Sequence, residues 1–131
     1  MIFVDTSVWV EFLRGRNKHI ITVLSDLLDN NKVALSAAVW VEIMVGASNT
    51  QRPILKRVFS ALPVFFPQNS CWDLILSWIE TAASKGQRFG FADLLIAATV
   101  RENKGQLWSL DNDFQRMAAL KFVELSGADL S

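Results

Sequence analysis

Two apolar segments of the sequence each end in an aspartate that precedes a helix-forming stretch. The run IFV at residues 2–4 leads into Asp5, and the run LWSL at residues 107–110 leads into Asp111, with Asp113 two residues later. Aspartate is a favoured helix cap, so each residue has a local explanation. Carboxylates also bind divalent cations and take protons in hydrolysis. The spacing leaves both interpretations open until the surrounding elements are considered.

Two further acids lie inside apolar helical patterns. Glu42 sits in AAVWVEIMVG, which is apolar nearly all the way round and therefore predicts a buried helix. No base lies one turn away, and burying an unpaired carboxylate is costly. We therefore expect Glu42 to reach an edge of the sheet, to meet a distant base or to face a cation. Asp93 lies in the first turn of FADLLIAAT, where the helix dipole contributes only about 0.3–1 kcal/mol.

Strands and helices alternate along the chain. Strands are predicted at 2–5, 33–35, 63–66, 106–110 and 122–125, and helices at 7–14, 18–30, 37–45, 51–61, 70–84, 91–102 and 114–119. Ser36 and Ser70 are expected N-caps, and Gly46 is expected to end the third helix. In the helix at 70–84, the spacing places one apolar face on Trp72, Ile75, Leu76, Ile79 and Ala83. Apolar strands separated by helices indicate a parallel sheet covered on both sides.

The parallel arrangement places the strand-end acids together. Ligands of such sheets bind beyond the carboxyl ends of the strands, where both Asp5 and Asp111 would emerge. Four or five carboxylates at one edge would repel one another, and some would stay protonated. A divalent cation removes that repulsion, and ligands that are all oxygen suit Mg²⁺ or Mn²⁺.

Composition narrows the class of protein further. The 131 residues fit one domain, 1–131, and the thirteen acids balance thirteen bases, which argues against coating nucleic acid by bulk charge. Without the five acids singled out, the remaining surface is basic, as a phosphate-bearing substrate requires. The single cysteine, Cys71, is expected to be buried in a reducing, cytosolic protein, with no signal peptide. The candidate phosphate-binding residues are Arg14, Arg16, Lys18, Lys85, Arg88 and Arg116.

Four motifs in series resemble the PIN-domain nucleases, and in particular the VapC-type toxins of bacterial toxin–antitoxin pairs. They are DTS at 5–7, Glu42 with Gly46 four residues on, FADLLIAA at 91–98, and SLDNDF at 109–114. The similarity covers essentially the whole chain in order and at suitable spacings.

The resemblance implies a three-layer α/β/α sandwich with a short, mostly parallel sheet, and an endoribonuclease that depends on Mg²⁺ or Mn²⁺. It also implies a homodimer and an antitoxin whose C-terminal segment occupies the active-site groove. Carried over by position, the acidic quartet of metal ligands is Asp5, Glu42, Asp93 and Asp111. Asp113 lies in the same motif as Asp111, and either could face the metal. Supporting hydroxyls would come from Thr6, Ser7 and Ser109, and a threonine is more usual at position 109.

Several other classes share parts of this pattern. A phosphatase with a nucleophilic aspartate at the end of its first strand needs a second aspartate two residues later, where this chain has Ser7. A response-regulator receiver has paired acids after its first strand and a lysine after a late strand, and neither is present. A PIN-like nuclease of RNA processing, which is not a toxin, remains an alternative. A PIN domain kept only for binding would not need the full set of acids.

Overall fold

One four-stranded sheet organises the part of the chain that the structure describes. The computed structural model describes residues 1–127 of the predicted 1–131 domain. These residues form β1 (Ile2–Val4), α1 (Thr6–Arg14), α2 (Lys18–Asp29), β2 (Val33–Ser36), α3 (Ala37–Gly46), α4 (Gln51–Ser60), β3 (Val64–Phe65), α5 (Asn69–Ser84), α6 (Phe91–Glu102), β4 (Gln106–Trp108) and α7 (Asn112–Ala119).

The strands are all parallel and lie in the order β3-β2-β1-β4. Phe3 of β1 is in register with Ala34 of β2 and Leu107 of β4. The connections from β1 to β2 and from β2 to β3 step in one direction, and the connection from β3 to β4 returns across the sheet. Because such crossovers are right-handed, α1 to α4 cover one face, and α5 and α6 cover the other. The predicted α/β/α sandwich with a parallel sheet is confirmed.

The predicted fifth strand is wrong. Residues 122–125 contribute one isolated bridge, from Leu107 to Leu125, rather than a strand. Lys121 leaves α7 with a positive φ of 63°, and the next residue, Phe122, stacks its ring on Trp78 with centroids 4.6 Å apart. Because Phe122 packs into the core, only a short segment runs beside β4.

Two predicted helix faces are also wrong. In α3, Val39 and Ile43 are buried, but Val41 and Val45 are 63% and 79% exposed, so the helix is not buried all round. Helix α5 buries Cys71, Ile75, Trp78 and Ala82, so Ile75 is the one residue of the predicted face that is buried. The apolar residues of that predicted face that face solvent are Trp72, Leu76, Ile79 and Ala83. Both helices carry more apolar residues than their single packed face requires, and the sequence pattern cannot choose between the faces.

The predicted burial of Cys71 is confirmed, because its side chain is 1% exposed. Ser70 does not cap α5, which begins at Asn69, and its hydroxyl donates to Glu102 Oε2 instead. Within residues 1–127, no helix is both long enough and apolar enough to cross a membrane.

Candidate active site

Three carboxylates converge beyond the carboxyl end of β4. Asp93 in the first turn of α6 and Asp111 and Asp113 at the start of α7 each offer an oxygen, and these oxygens all lie within 4.8 Å of one another. Mg²⁺ binds oxygen at about 2.0–2.1 Å, so two ligands on opposite sides of it are separated by about 4.2 Å. The cluster therefore fits a small, hard divalent cation.

The pKa of Asp93 shows that all five singled-out acids share one electrostatic environment. The pKa of Asp93 is raised from 3.8 to about 6, by burial first and then by the negative charges of the other four acids in the order Asp111, Asp5, Asp113 and Glu42. Repulsion of this kind is what a bound cation would relieve.

Asp5 is almost completely buried at the centre of the sheet edge. Its side chain is 4% exposed, and Oδ2 accepts hydrogen bonds from the hydroxyls of Ser7 and Ser109, both at 2.8 Å. Among residues 1–127 it forms no salt bridge. The backbone N–H of Ser7 also donates to Oδ2 at 3.4 Å, so Asp5 caps α1. Asp5 therefore serves as a helix cap and as an oriented, buried carboxylate at once.

The serines that hold Asp5 also hold the loop that carries Asp111. The backbone N–H of Leu110 donates to Ser7 Oγ, and that of Asp111 donates to Ser109 Oγ, both at 3.0 Å. Asp111 in turn caps α7, because its Oδ1 accepts from the N–H of Asp113 at 2.9 Å. The alternative that Asp113 caps this helix is therefore wrong.

Asp113 has a second partner besides the cluster. Its Oδ1 forms a salt bridge of 2.8 Å with Arg116 Nη2, one turn along α7. The guanidinium of Arg116 also lies 4.6 Å from the ring centroid of Phe89. Arg116, one of the candidate phosphate-binding residues, thus pairs with Asp113 in an exposed contact between residues three apart on α7.

Glu42 lies at the rim of the site instead of in its interior. It is exposed, and its Oε1 accepts a hydrogen bond of 2.7 Å from Thr6 Oγ1. In the described part of the chain it meets no base. Glu42 therefore reaches the edge of the sheet, where solvent removes the cost of burial on which the expectation rested, and a cation beside it stays a prediction.

Ser36 lies at the predicted N-cap position of α3, but its place beside the acidic site was not predicted. It ends β2 with 2% exposure, and the register places it beside Asp5 on the same face of the sheet. Its hydroxyl makes no cap bond to α3 and finds no partner elsewhere in residues 1–127. Continued past the last paired residues, the strand register aligns Ser36, Asp5 and Ser109 at the carboxyl ends of β2, β1 and β4.

The fold and site together define an α/β domain with an acidic centre at the carboxyl edge of a parallel sheet. The chain belongs to the PIN-domain family, whose model matches residues 2–120. A search of the curated proteins finds no match.

Solved structures of similar fold include VapBC2 from Rickettsia felis bound to a promoter DNA fragment, with a TM-score of 0.78, 22% identity and coverage of 96% of this chain and 98% of that one. A toxin–antitoxin complex from Klebsiella pneumoniae has a TM-score of 0.73 and 17% identity, with coverage of 94% and 95%. VapC20 from Mycobacterium tuberculosis, a toxin that cleaves the sarcin–ricin loop, has a TM-score of 0.68 and 20% identity, with coverage of 97% and 100%.

Proposed function

We propose that this protein is a cytosolic endoribonuclease that depends on Mg²⁺ or Mn²⁺ and acts as the VapC-type toxin of a toxin–antitoxin pair. The observation that carries the proposal is the cluster of Asp93, Asp111 and Asp113 in a PIN domain. Two further carboxylates, Asp5 and Glu42, act on the charge of Asp93. The pKa of Asp93, raised to about 6 by burial first and by the neighbouring charges second, supports a cation site at this cluster.

The residues divide into those that hold the cation and those that orient them. Asp5, Asp93 and Asp111 would bind it, with Asp113 as an alternative to Asp111. When bound, the ion polarises the phosphodiester and lowers the pKa of a coordinated water. Ser7 and Ser109 fix the carboxylate plane of Asp5. Thr6 occupies Oε1 of Glu42 and leaves Oε2 to orient the attacking water or accept its proton.

The direct test is cleavage of a structured RNA by purified protein. We expect cleavage in Mg²⁺ or Mn²⁺, loss of cleavage in EDTA and recovery when either ion is added back. A 5′-labelled transcript resolved on a gel reports internal cuts, which separate an endonuclease from an exonuclease. Cleavage that is indifferent to EDTA would contradict the proposal.

A homodimer is the second part of the proposal. Exposed apolar side chains lie on α3, after β3, on α5 and at the start of α6. Exposure of such side chains to water is unfavourable, and it often marks a surface that binds another protein. They are Val41, Val45, Phe66, Trp72, Leu76 and Phe91. The rings of Trp72 and Phe91 stack with centroids 6.2 Å apart, which gives the part of this set on α5 and α6 a preformed aromatic contact.

Light scattering after size exclusion tests the dimer. We expect twice the chain mass for the unaltered protein and the chain mass for Leu76→Asp, because a charge buried at an interface is unfavourable. Ile54→Asp, which changes an exposed side chain on α4, is the control and is expected to leave the dimer intact. A monomeric unaltered protein at micromolar concentration would contradict this part.

An antitoxin is the third part. The similar fold in a toxin–antitoxin complex from Klebsiella pneumoniae supports it. We expect expression of this chain to arrest bacterial growth, and co-expression of a small DNA-binding protein encoded beside it to restore growth. Growth that continues while RNA is cleaved in vitro would instead favour a PIN nuclease of RNA processing.

A further inference from the structure

We infer that the cleft between α1 and α3 is a nucleobase subsite, which receives an RNA base adjoining the scissile phosphate and prefers guanine or uracil. The inference rests on the proposed ribonuclease function. The cleft has a volume of about 390 Å³, and both Thr6 and Glu42 line it. Because these two residues also belong to the acidic site, an occupant of the cleft lies next to the reacting phosphate.

The floor of the cleft suits the flat face of a base. Val10 and Leu13 of α1 and Ile43 and Ala47 of the α3 segment contribute apolar surface. Proteins that recognise single-stranded RNA place unstacked bases against such surfaces and read the base edges with polar groups. A cleft of this volume is within the ~300–1,000 Å³ typical of ligand sites.

The glycine at position 46 is a further observation in favour of a ligand in the cleft. Glycine weakens a helix, yet Gly46 closes α3 without a positive φ. A Cβ built at this position meets no atom within 4 Å. Neither backbone conformation nor crowding therefore requires glycine here. Since Gly46 lines the cleft, the missing side chain keeps this space open.

The polar rim of the cleft offers hydrogen-bond donors. Gln51 Oε1 accepts from the backbone N–H of Ser48 at 3.1 Å, which fixes the side-chain amide and leaves Nε2 as a donor without a partner in residues 1–127. Arg14 uses Nη1 for a salt bridge of 3.0 Å with Glu11, and its side chain is 60% exposed. Its remaining N–H groups are available to a ligand.

Two donors select bases with acceptor edges. On the edge that carries O6 and N7, guanine presents two acceptors, and uracil presents a carbonyl oxygen on the same edge. Adenine and cytosine place an amino donor there. An amino group that faces Gln51 Nε2 and Arg14 would place one hydrogen-bond donor against another, and no hydrogen bond could form. We assign the cleft to a base because Thr6 and Glu42 continue it into the acidic site, where the reacting phosphate would lie.

The test uses short labelled RNAs that differ in one base beside the cut. We expect kcat/KM to be about tenfold higher for guanine or uracil than for adenine or cytosine at one flanking position, the discrimination of one well-placed hydrogen-bonded pair. Fluorescence anisotropy with Asp93→Asn protein in EDTA measures binding of the same RNAs without turnover. We expect the same base order in that assay.

Two variants test the cleft without touching the acids. Gln51→Glu keeps an oxygen for the Ser48 N–H and replaces the Nε2 donor by an acceptor, so we expect the preference for guanine or uracil to be lost or reversed. Gly46→Leu fills the cleft, and we expect at least tenfold weaker RNA binding at unchanged or higher Tm. Gln68→Glu, an exposed glutamine at the start of α5, is the charge-matched control.

The possible results distinguish failure of the base subsite from failure of the proposed ribonuclease function. If the unaltered protein cleaves no RNA, the proposed function fails. If it cleaves RNA with the same base preference after both cleft variants, the subsite is overturned and the nuclease stands. Variants that lose a protein partner but keep base preference and RNA affinity would assign the cleft to that partner and also overturn the inference.

Discussion

Asp93→Asn should reduce the kcat/KM for RNA cleavage by about a thousandfold or more and weaken Mn²⁺ binding. Asp93 contributes an oxygen to the three-carboxylate cluster, and its pKa responds to each of the other four acids. An amide keeps the shape of the side chain but removes its negative charge, and metal-assisted hydrolysis depends on a correctly held ion. Cleavage rates and Mn²⁺ affinity by titration calorimetry measure the two effects.

Asp29→Asn is the matched control for this substitution. Asp29 is an exposed aspartate at the end of α2, away from the sheet edge, and its change should leave both quantities unaltered.

Asp5→Asn should resemble Asp93→Asn in activity, because it removes the buried charge that Ser7 and Ser109 orient. If either site variant retains cleavage near that of the Asp29→Asn protein, the acidic cluster is not the catalytic centre.

The second large effect concerns stability without added metal. Asp93 has its pKa raised from 3.8 to about 6 by burial and by the neighbouring acids, so between these pH values the native state binds more protons than the unfolded state. The free energy of unfolding of the metal-free protein should therefore rise as the pH falls from 7.5 to 5. The destabilisation should be fully present above pH ~7, where Asp93 is ionised in both states.

Denaturant unfolding at pH 5 and pH 7.5 measures this dependence. Mn²⁺ should raise the free energy of unfolding at pH 7.5 more than at pH 5, because protons and the cation compete for the same carboxylates. Asp93→Asn should flatten the pH dependence of the metal-free protein, and Asp29→Asn should preserve it. A metal-free protein that loses stability steadily from pH 7.5 to pH 5 would show that the acids do not repel one another as the geometry requires.

Helix and strand positions were largely predictable, because local patterns specify them. Each strand that forms ends within two residues of its predicted end. The buried faces were less predictable. Trp72 and Leu76 share helical spacing with the buried Ile75, but α5 packs through Cys71, Ile75, Trp78 and Ala82. Which face of a helix meets the core depends on its neighbours in space.

Among the site residues, the chain itself determined which carboxylates stand at strand ends and in an apolar first turn. Asp5 and Asp111 follow strands, and Asp93 lies in an apolar first turn. The expected burial of Glu42 was wrong, because the outer face of α3 meets solvent. No local pattern reports whether a neighbouring element covers a given face.

By itself, the sequence determined the order of strands and helices and the acids at their ends, since backbone propensity and side-chain period are local properties. Only the tertiary structure decided which of those acids meet. It brought Asp93 within 4.8 Å of Asp111 and Asp113, and it set Ser36 beside Asp5 through strand register. Distances between elements follow from how the sheet and helices pack, and that packing is fixed by the whole core at once.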